Sequence, residues 1–188
     1  MKRHSFLTLF LFLSLSLRIL GEDAKKGEVP FKIVSYNVEN FFESLPDTSA
    51  KNPFSPQGVR RWTKWKYKTK ISHISQALLA CGEDKIPSLI GLCEIGSEKV
   101  LYDLVHSSPL WKLNYDYILA ETQDVRHIHT ALLYCKEDFR PLEIQSLEVD
   151  LSQYTTYRPT RCILYVKGLN TYSQDTLHIF VVHFPSRS

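Results

Sequence analysis

The sequence has 188 residues, 44% hydrophobic and 23% charged, with 23 Lys and Arg against 20 Asp and Glu. That length suits one ordinary domain. The apolar run Phe6–Leu17 is shorter than the roughly 20 residues a membrane-spanning helix needs, and Cys81, Cys93, Cys135 and Cys162 form neither a CxxC pair nor a zinc spacing.

Met1-Lys-Arg-His4 is basic, Phe6–Leu17 contains only Phe, Leu, Thr and Ser, Arg18 closes the run, and Gly21-Glu-Asp-Ala-Lys-Lys26 is polar. This order fits a secretory signal peptide over residues 1–21, followed by a linker at 22–30 and a domain from 31 to 188. A membrane anchor or a buried helix is the competing assignment. An exported protein, periplasmic or secreted, is expected, with no stable membrane insertion after signal cleavage. Residues 1–21 carry Lys2, Arg3 and Arg18 and no acid, so the remainder holds 20 basic and 20 acidic side chains. The net basic charge belongs to the export segment and says nothing about nucleic acid. Export would allow a disulfide, although the spacing selects no pair; Cys93, inside an apolar run, reads as a buried thiol.

Phe31–Val38 is rich in β-branched and aromatic residues and predicts a strand. Residues 39–58 are punctuated by Pro46, Pro53 and Pro56 and read as loop. Trp65–Leu79 predicts a helix with Ile71, Ile74 and Leu78 on one stripe, closed at Cys81-Gly82. Ser88–Cys93 predicts a buried strand. Ser97 is placed to cap a second helix whose Val100, Leu101, Leu104 and Val105 share a face. Strands are then expected at Tyr115–Ala120, Thr130–Tyr134, Leu142–Val149, Cys162–Lys167 and Leu177–Phe184, with Gly168–Asp175 as a hairpin loop. The order argues an α+β or mixed α/β fold in which helices cover a sheet.

Three strands are expected to end on a polar group: Asn37, Glu94 and His183. Sites in layered α/β folds gather at strand ends and the loops beyond them. A carboxamide and a carboxylate are hard oxygen donors suited to Mg²⁺, which keeps several waters and needs few protein ligands. A bound metal could polarise a phosphoryl oxygen or a water, and a neighbouring His could hydrogen-bond phosphate or act as general acid. The bland alternative is that each residue caps a turn.

The motifs favour the first alternative. Ser35-Tyr-Asn-Val-Glu-Asn40 resembles the opening motif of the endonuclease/exonuclease/phosphatase superfamily. Leu89-Ile-Gly-Leu-Cys-Glu-Ile95 resembles its second motif, which ends in the metal-binding Glu, and Val181-Val-His-Phe-Pro-Ser-Arg-Ser188 resembles its active-site His strand. The stretches Phe54–Thr63, Thr130–Tyr134 and Arg158–Arg161 are also similar, so the likeness runs from about Phe31 to the last residue. It implies a Mg²⁺- or Mn²⁺-dependent phosphoesterase, a hydrolase of the nuclease and phosphatase type, acting on a phosphate ester, with nucleic acid among the candidate substrates. Asn37 would help position the metal and its waters, Glu94 would bind it directly, and His183 would contact the scissile phosphate. Arg187 and Arg161 are candidate phosphate binders. The implied fold is a four-layer α/β/β/α sandwich of two similar halves.

The chain ends five residues after His183, where that family's second half would supply further catalytic residues. The expectation is therefore the first part of the sandwich with the second half missing, and a chain inactive by itself and poorly soluble, because a sheet would be left uncovered. The competing function is a non-catalytic product, inert or binding phosphate or nucleic acid through Arg60–Lys70, which holds six basic and three aromatic residues and no acid. The bland reading of that segment is a solvated helix start with Trp62 and Trp65 packed on the core. His127 and His129 form an H-x-H pair that a strand would put on one face, a possible zinc pair without a third ligand nearby. Asp47 and Asp116 read as turn residues. No obligate protein partner is evident.

Overall fold

The computed structural model describes residues 30–44, 52–122, 126–150, 153 and 160–184. The expected signal peptide, nearly all of the expected linker, Asp47, Arg158 and Arg187 lie outside the described residues. The elements run β1 (Ile33–Phe41), α1 (Lys64–Ala80), β2 (Leu89–Ile95), α2 (Glu98–His106), a 3-10 turn (Pro109–Leu113), β3 (Tyr115–Leu119), β4 (His129–Cys135), β5 (Phe139–Leu147), β6 (Ile163–Asn170) and β7 (Thr176–Val181). The fold is mixed α+β, as the element order argues. No helix among the described residues is long and apolar enough to cross a membrane.

Two sheets form. The first has the order β1-β2-β4-β3 and the second β5-β6-β7. β1 runs parallel to β2, with α1 in the connection, whereas β2–β4, β3–β4, β5–β6 and β6–β7 are antiparallel. Because strand side chains alternate, each central strand of the first sheet serves two cores. Ile90 and Leu92 of β2 and Ala131 and Leu133 of β4 join Ile71, Ile74, Leu78, Leu101 and Leu104 from the helices. Leu89 and Cys93, with Leu132, face Phe139, Leu164, Val166 and Val181 of the second sheet. The described residues therefore stack as helices, sheet and sheet, three of the four layers that the resemblance implies.

Both helices bury the faces their periodicity predicts. Thr63 caps α1 by accepting from the Lys66 amide. Ser97 sits at the N-cap of α2 but makes no capping bond; its hydroxyl donates to Glu43 instead, 2.5 Å away. That contact ties the loop after β1 to the loop after β2. Trp62 packs against the helix-side core, but Trp65 is 72% exposed and does not. Trp65 precedes the buried Tyr67 and Ile71 stripe and falls on the opposite side of the helix.

Some boundaries move. β5 begins three residues before the expected Leu142 and stops at Leu147, not Val149. A register shift between Pro141 and Glu143 lets Pro141, which lacks a donor, sit inside the strand. β6 continues to Asn170, so the hairpin loop is Thr171–Asp175 and is shorter than Gly168–Asp175. Asn170 initiates that turn, its Oδ1 accepting from the Tyr172 amide at 2.9 Å. All four cysteines are free thiols; Cys93 is buried and Cys81 is exposed.

Candidate active site

The site lies where β1, β2 and β7 end together. Strand alternation is broken there in two adjacent places. In β1, Val34 and Val38 face the helices and the next residue of that set is Phe41, one position late. In β2, Ile90 and Leu92 face the helices and the set resumes at Ile95. The β1–β2 register shifts between Asn37 and Phe41, and the β2–β4 register between Cys93 and Ile95. The slips are made by left-handed residues, Glu39 (φ 54°), Asn40 (φ 53°) and Glu94 (φ 65°). A strict alternation would aim Glu94 into the helix-side core, where an unpaired charge is costly. The left-handed turn brings its carboxylate out at the sheet end and lets Ile95 take the buried place. Such backbone costs about 1–3 kcal/mol per residue and concentrates at functional sites.

The carboxylate is well held. Glu94 Oε1 accepts from Asn37 Nδ2 at 3.1 Å, and Oε2 accepts from the Asn40 amide at 2.7 Å. Asn37 Oδ1 accepts from the Glu39 amide at 3.0 Å, which fixes the side-chain amide with its NH₂ toward Glu94. His183 Nε2 lies 3.5 Å from Glu94 Oε1. Partial burial alone would raise the Glu94 pKa, but the Asn37 and Asn40 donors and the nearby His183 and Arg161 outweigh it and hold the acid below the usual carboxylate range. Glu94 is therefore an anion at neutral pH.

The structure thus brings Asn37, Glu94 and His183 together and places Arg161, just before β6, close enough for its charge to favour the Glu94 carboxylate. Two positions differ from expectation. Asn37 does not end β1, which continues past the slip to Phe41, and His183 lies two residues beyond the end of β7. The Cys93 thiol donates to the Val182 carbonyl at 3.6 Å, linking β2 to the His183 segment.

Sequence reasoning missed Lys70. Its ammonium donates to the Glu39 carbonyl and lies 5.7 Å from the Trp62 ring centre. Burial lowers its pKa against the pull of Glu39 and Glu94. The spacing of Lys66 and Lys70, four apart on one helix face, was the available signal. Both line a groove of about 500 Å³ with Tyr36, Asn37, Trp62 and Trp65. A second cavity of about 510 Å³ is lined by Asn40 with Phe42 and Phe54. Gly96 borders it because any Cβ there would meet the Phe42 ring at 2.4 Å.

The possible zinc pair does not form. His127 precedes β4 in a left-handed conformation (φ 50°), so it shares no strand face with His129. His129 Nδ1 lies 2.8 Å from the Ala120 carbonyl. Among the described residues no group of three or more His, Cys, Asp or Glu is placed to hold a metal. A Mg²⁺-type site asks for less: one or two carboxylate or amide oxygens, with water completing the shell. The ionised Glu94 beside Asn37 fits that donor set.

The sequence matches the family described as "Endonuclease/Exonuclease/phosphatase family" over residues 32–188. No curated protein matches it. Among solved structures, a mannosyl-6-phosphatase of Bacteroides thetaiotaomicron VPI-5482 aligns with a TM-score of 0.54 and 18% identity, over 80% of this chain and 50% of its own. An endonuclease/exonuclease/phosphatase family protein from Bacteroides thetaiotaomicron gives 0.52 and 18%, over 80% and 48%. At that identity the likeness is one of fold. The chain spans about half the length of these solved structures.

Proposed function

This chain belongs to the endonuclease/exonuclease/phosphatase family, and from that premise we propose that its gene product is a metal-dependent phosphoesterase, hydrolysing a phosphodiester or phosphomonoester by attack of water. The observation that carries the reading is the Asn37–Glu94–His183 cluster, with the carboxylate kept ionised by two donors at a sheet end. Glu94 would hold Mg²⁺ or Mn²⁺ directly, with Asn37 steadying the carboxylate, and the bound metal would supply charge stabilisation at the phosphoryl group. The protein's own part is positioning. The Asn40 amide orients one carboxylate oxygen and the Asn37 carboxamide the other. Asn37 keeps its amide nitrogen on Glu94 because the Glu39 amide holds its oxygen. His183 stands on the same carboxylate, within reach of a phosphate lodged at the sheet end. Arg161 adds positive charge for the anionic ester, and Arg187, four residues beyond His183, is a further candidate for it.

We assign export to the same protein on the composition of residues 1–21, and to residues 31–188 the N-terminal part of the phosphoesterase domain. The test is hydrolysis by the whole gene product with Mg²⁺ or Mn²⁺. The panel holds a chromogenic phosphodiester, DNA and a hexose 6-phosphate, the last because one solved structure of this fold is a mannosyl-6-phosphatase. Metal-dependent turnover that Glu94→Gln abolishes is the expected result. No turnover on any substrate class, together with no metal binding, would remove the reading.

A further inference from the structure

The peptide unit between Glu39 and Asn40 is held at both ends. Its oxygen accepts from the Lys70 ammonium, and its N–H donates to Glu94 Oε2 at 2.7 Å. A peptide group is planar, with its C=O and N–H pointing in opposite directions. The two partners therefore pin one plane between helix α1 and strand β2. The residues on either side of the plane both have left-handed backbone, φ 54° at Glu39 and φ 53° at Asn40. Neither is a glycine, so this arrangement is not the one the local chain prefers. A flip of the plane would change ψ of Glu39 and φ of Asn40, taking Asn40 out of the left-handed region while leaving Glu39 at positive φ, and would turn a carbonyl dipole toward the Glu94 anion in place of an N–H.

We propose that Lys70 is a positioning residue for Glu94: it clamps the Glu39–Asn40 peptide so that its N–H, and not its carbonyl, meets the carboxylate. The inference rests on the phosphoesterase reading for its consequence, since Glu94 is the carboxylate assigned to the metal, but the clamp itself is a property of the chain alone. Lys70 is well made for the task. It rises from the middle of α1, whose Ile71 and Ile74 are anchored in the core, so its base is rigid. Trp62 lies along its path, and the Trp62 indole N–H donates to the Phe42 carbonyl at 2.9 Å, fixing the far side of the same turn. Lys66, one turn earlier, spends its ammonium on the Arg60 carbonyl at 2.9 Å and does not reach the plane. A hydrogen bond from a charged donor is strong enough to hold one peptide orientation against the other by roughly tenfold or more.

The test uses the full chain as wild type, Lys70→Met, Lys70→Arg and, as a control on the same helix face, Lys66→Met. The first readout needs no metal: hydrogen exchange of the Asn40 backbone amide, followed residue by residue by NMR. In Lys70→Met, protection of Asn40 should fall by about tenfold, while the Leu92 amide and the melting temperature stay near wild type. Lys70→Arg should restore most of it, and Lys66→Met should leave it unchanged. The second readout is Mn²⁺ affinity, expected to weaken by roughly 10- to 100-fold in Lys70→Met. Wild-type protection of Asn40 in Lys70→Met would overturn the proposal. So would a loss shared equally by Leu92, because that would make Lys70 a general strut. A wild type that binds no Mn²⁺ but loses Asn40 protection with Lys70 would keep the clamp and remove the phosphoesterase reading.

Discussion

Asn37 and Glu94 are 57 residues apart in the chain, and their side chains meet at 3.1 Å across two parallel neighbouring strands. Parallel pairing is what makes this possible. It puts the ends of β1 and β2 on the same edge of the sandwich, so loops that follow both strands open on one site. The paired slips at Glu39–Asn40 and Glu94 then lift the polar side chains out of an otherwise apolar alternation.

Glu94→Gln should separate the two things this carboxylate does. Gln keeps the shape and can still accept from the Asn40 amide, so the fold should be kept, with only the modest loss of stability that the missing charge brings. The charge is gone, and Mn²⁺ affinity and turnover should fall by more than the roughly 10- to 100-fold expected for a supporting residue such as Asn37→Ala. Glu94 has its folded pKa depressed. Its stabilising contribution is therefore complete above the unfolded value, about 4.3, and is lost as pH falls through the folded pKa. Metal affinity measured by titration should accordingly hold from neutral pH down past the unfolded value, about 4.3, and fall only as pH passes through the lowered folded pKa.

At Glu39 the backbone is the issue. The residue is exposed at φ 54°, a conformation that glycine adopts freely and a β-branched residue resists. Glu39→Val should cost roughly 1–2 kcal/mol in urea unfolding and weaken Mn²⁺ binding, because the peptide plane that holds Glu94 would move. Glu39→Gly should stay within about 1 kcal/mol of wild type, relief of the left-handed strain offsetting the added freedom of the unfolded chain. Equal loss from both substitutions would show that the Glu39 side chain matters and its φ does not.

The same contrast between local and distant causes explains what the sequence made legible. Apolar spacing is local, so the α1 stripe and the α2 face were readable, and so were β2 as a buried strand and β4 as a strand; that each serves two cores was not. Asn37, Glu94 and His183 were readable because each follows an apolar run and sits in a recognisable motif. Sheet order was not: β4 inserts between β2 and β3, and no feature within those strands states that. The strand slips were hidden because Glu and Asn give no warning of positive φ in the way Gly does. Lys70 was hidden because its partner is 31 residues away in the chain, and a lysine in a basic segment reads first as a solvated charge.

Asp138 anchors the opposite end of the sandwich and gives an acid-sensitivity prediction. It is 2% exposed, with Ser88 Oγ at 2.5 Å and the Lys85 ammonium at 2.9 Å. Burial alone would raise its pKa, but Ser88, Lys85 and Tyr172 outweigh it and lower the value. The stabilisation is therefore full above the unfolded pKa, near 3.9, and lost as pH falls through the folded one. Asp138→Asn should cost about 3 kcal/mol at pH 7, the low end for breaking a buried pair because Lys85 reaches solvent. The gap between the two proteins in urea midpoint should shrink as pH drops below about 3.9. A gap that stays constant to pH 2 would mean the charge of Asp138 contributes nothing.

Gly168 of β6 packs directly against the Phe139 ring of β5, and it tests packing independently of the site. A Cβ placed there would lie 2.1 Å from Phe139 Cζ, and Phe139 is itself 1% exposed, so neither side has room to yield. No positive φ is involved, so the constraint is the ring and not the backbone. Gly168→Ala should therefore destabilise by roughly 1–3 kcal/mol through overpacking. Phe139→Leu removes the clashing ring edge but leaves unfilled volume and should also destabilise. Combined, the two should cost less than the sum of the singles, since the methyl group occupies space the ring gave up. A double-mutant cycle in urea should show that coupling as at least about 0.5 kcal/mol. Strictly additive costs would place the strain of Gly168→Ala in the β5–β6 ladder and not against Phe139. Because Gly168 pairs with Leu177, at the far end of β7 from Val181, Mn²⁺ affinity should be the same in all four proteins.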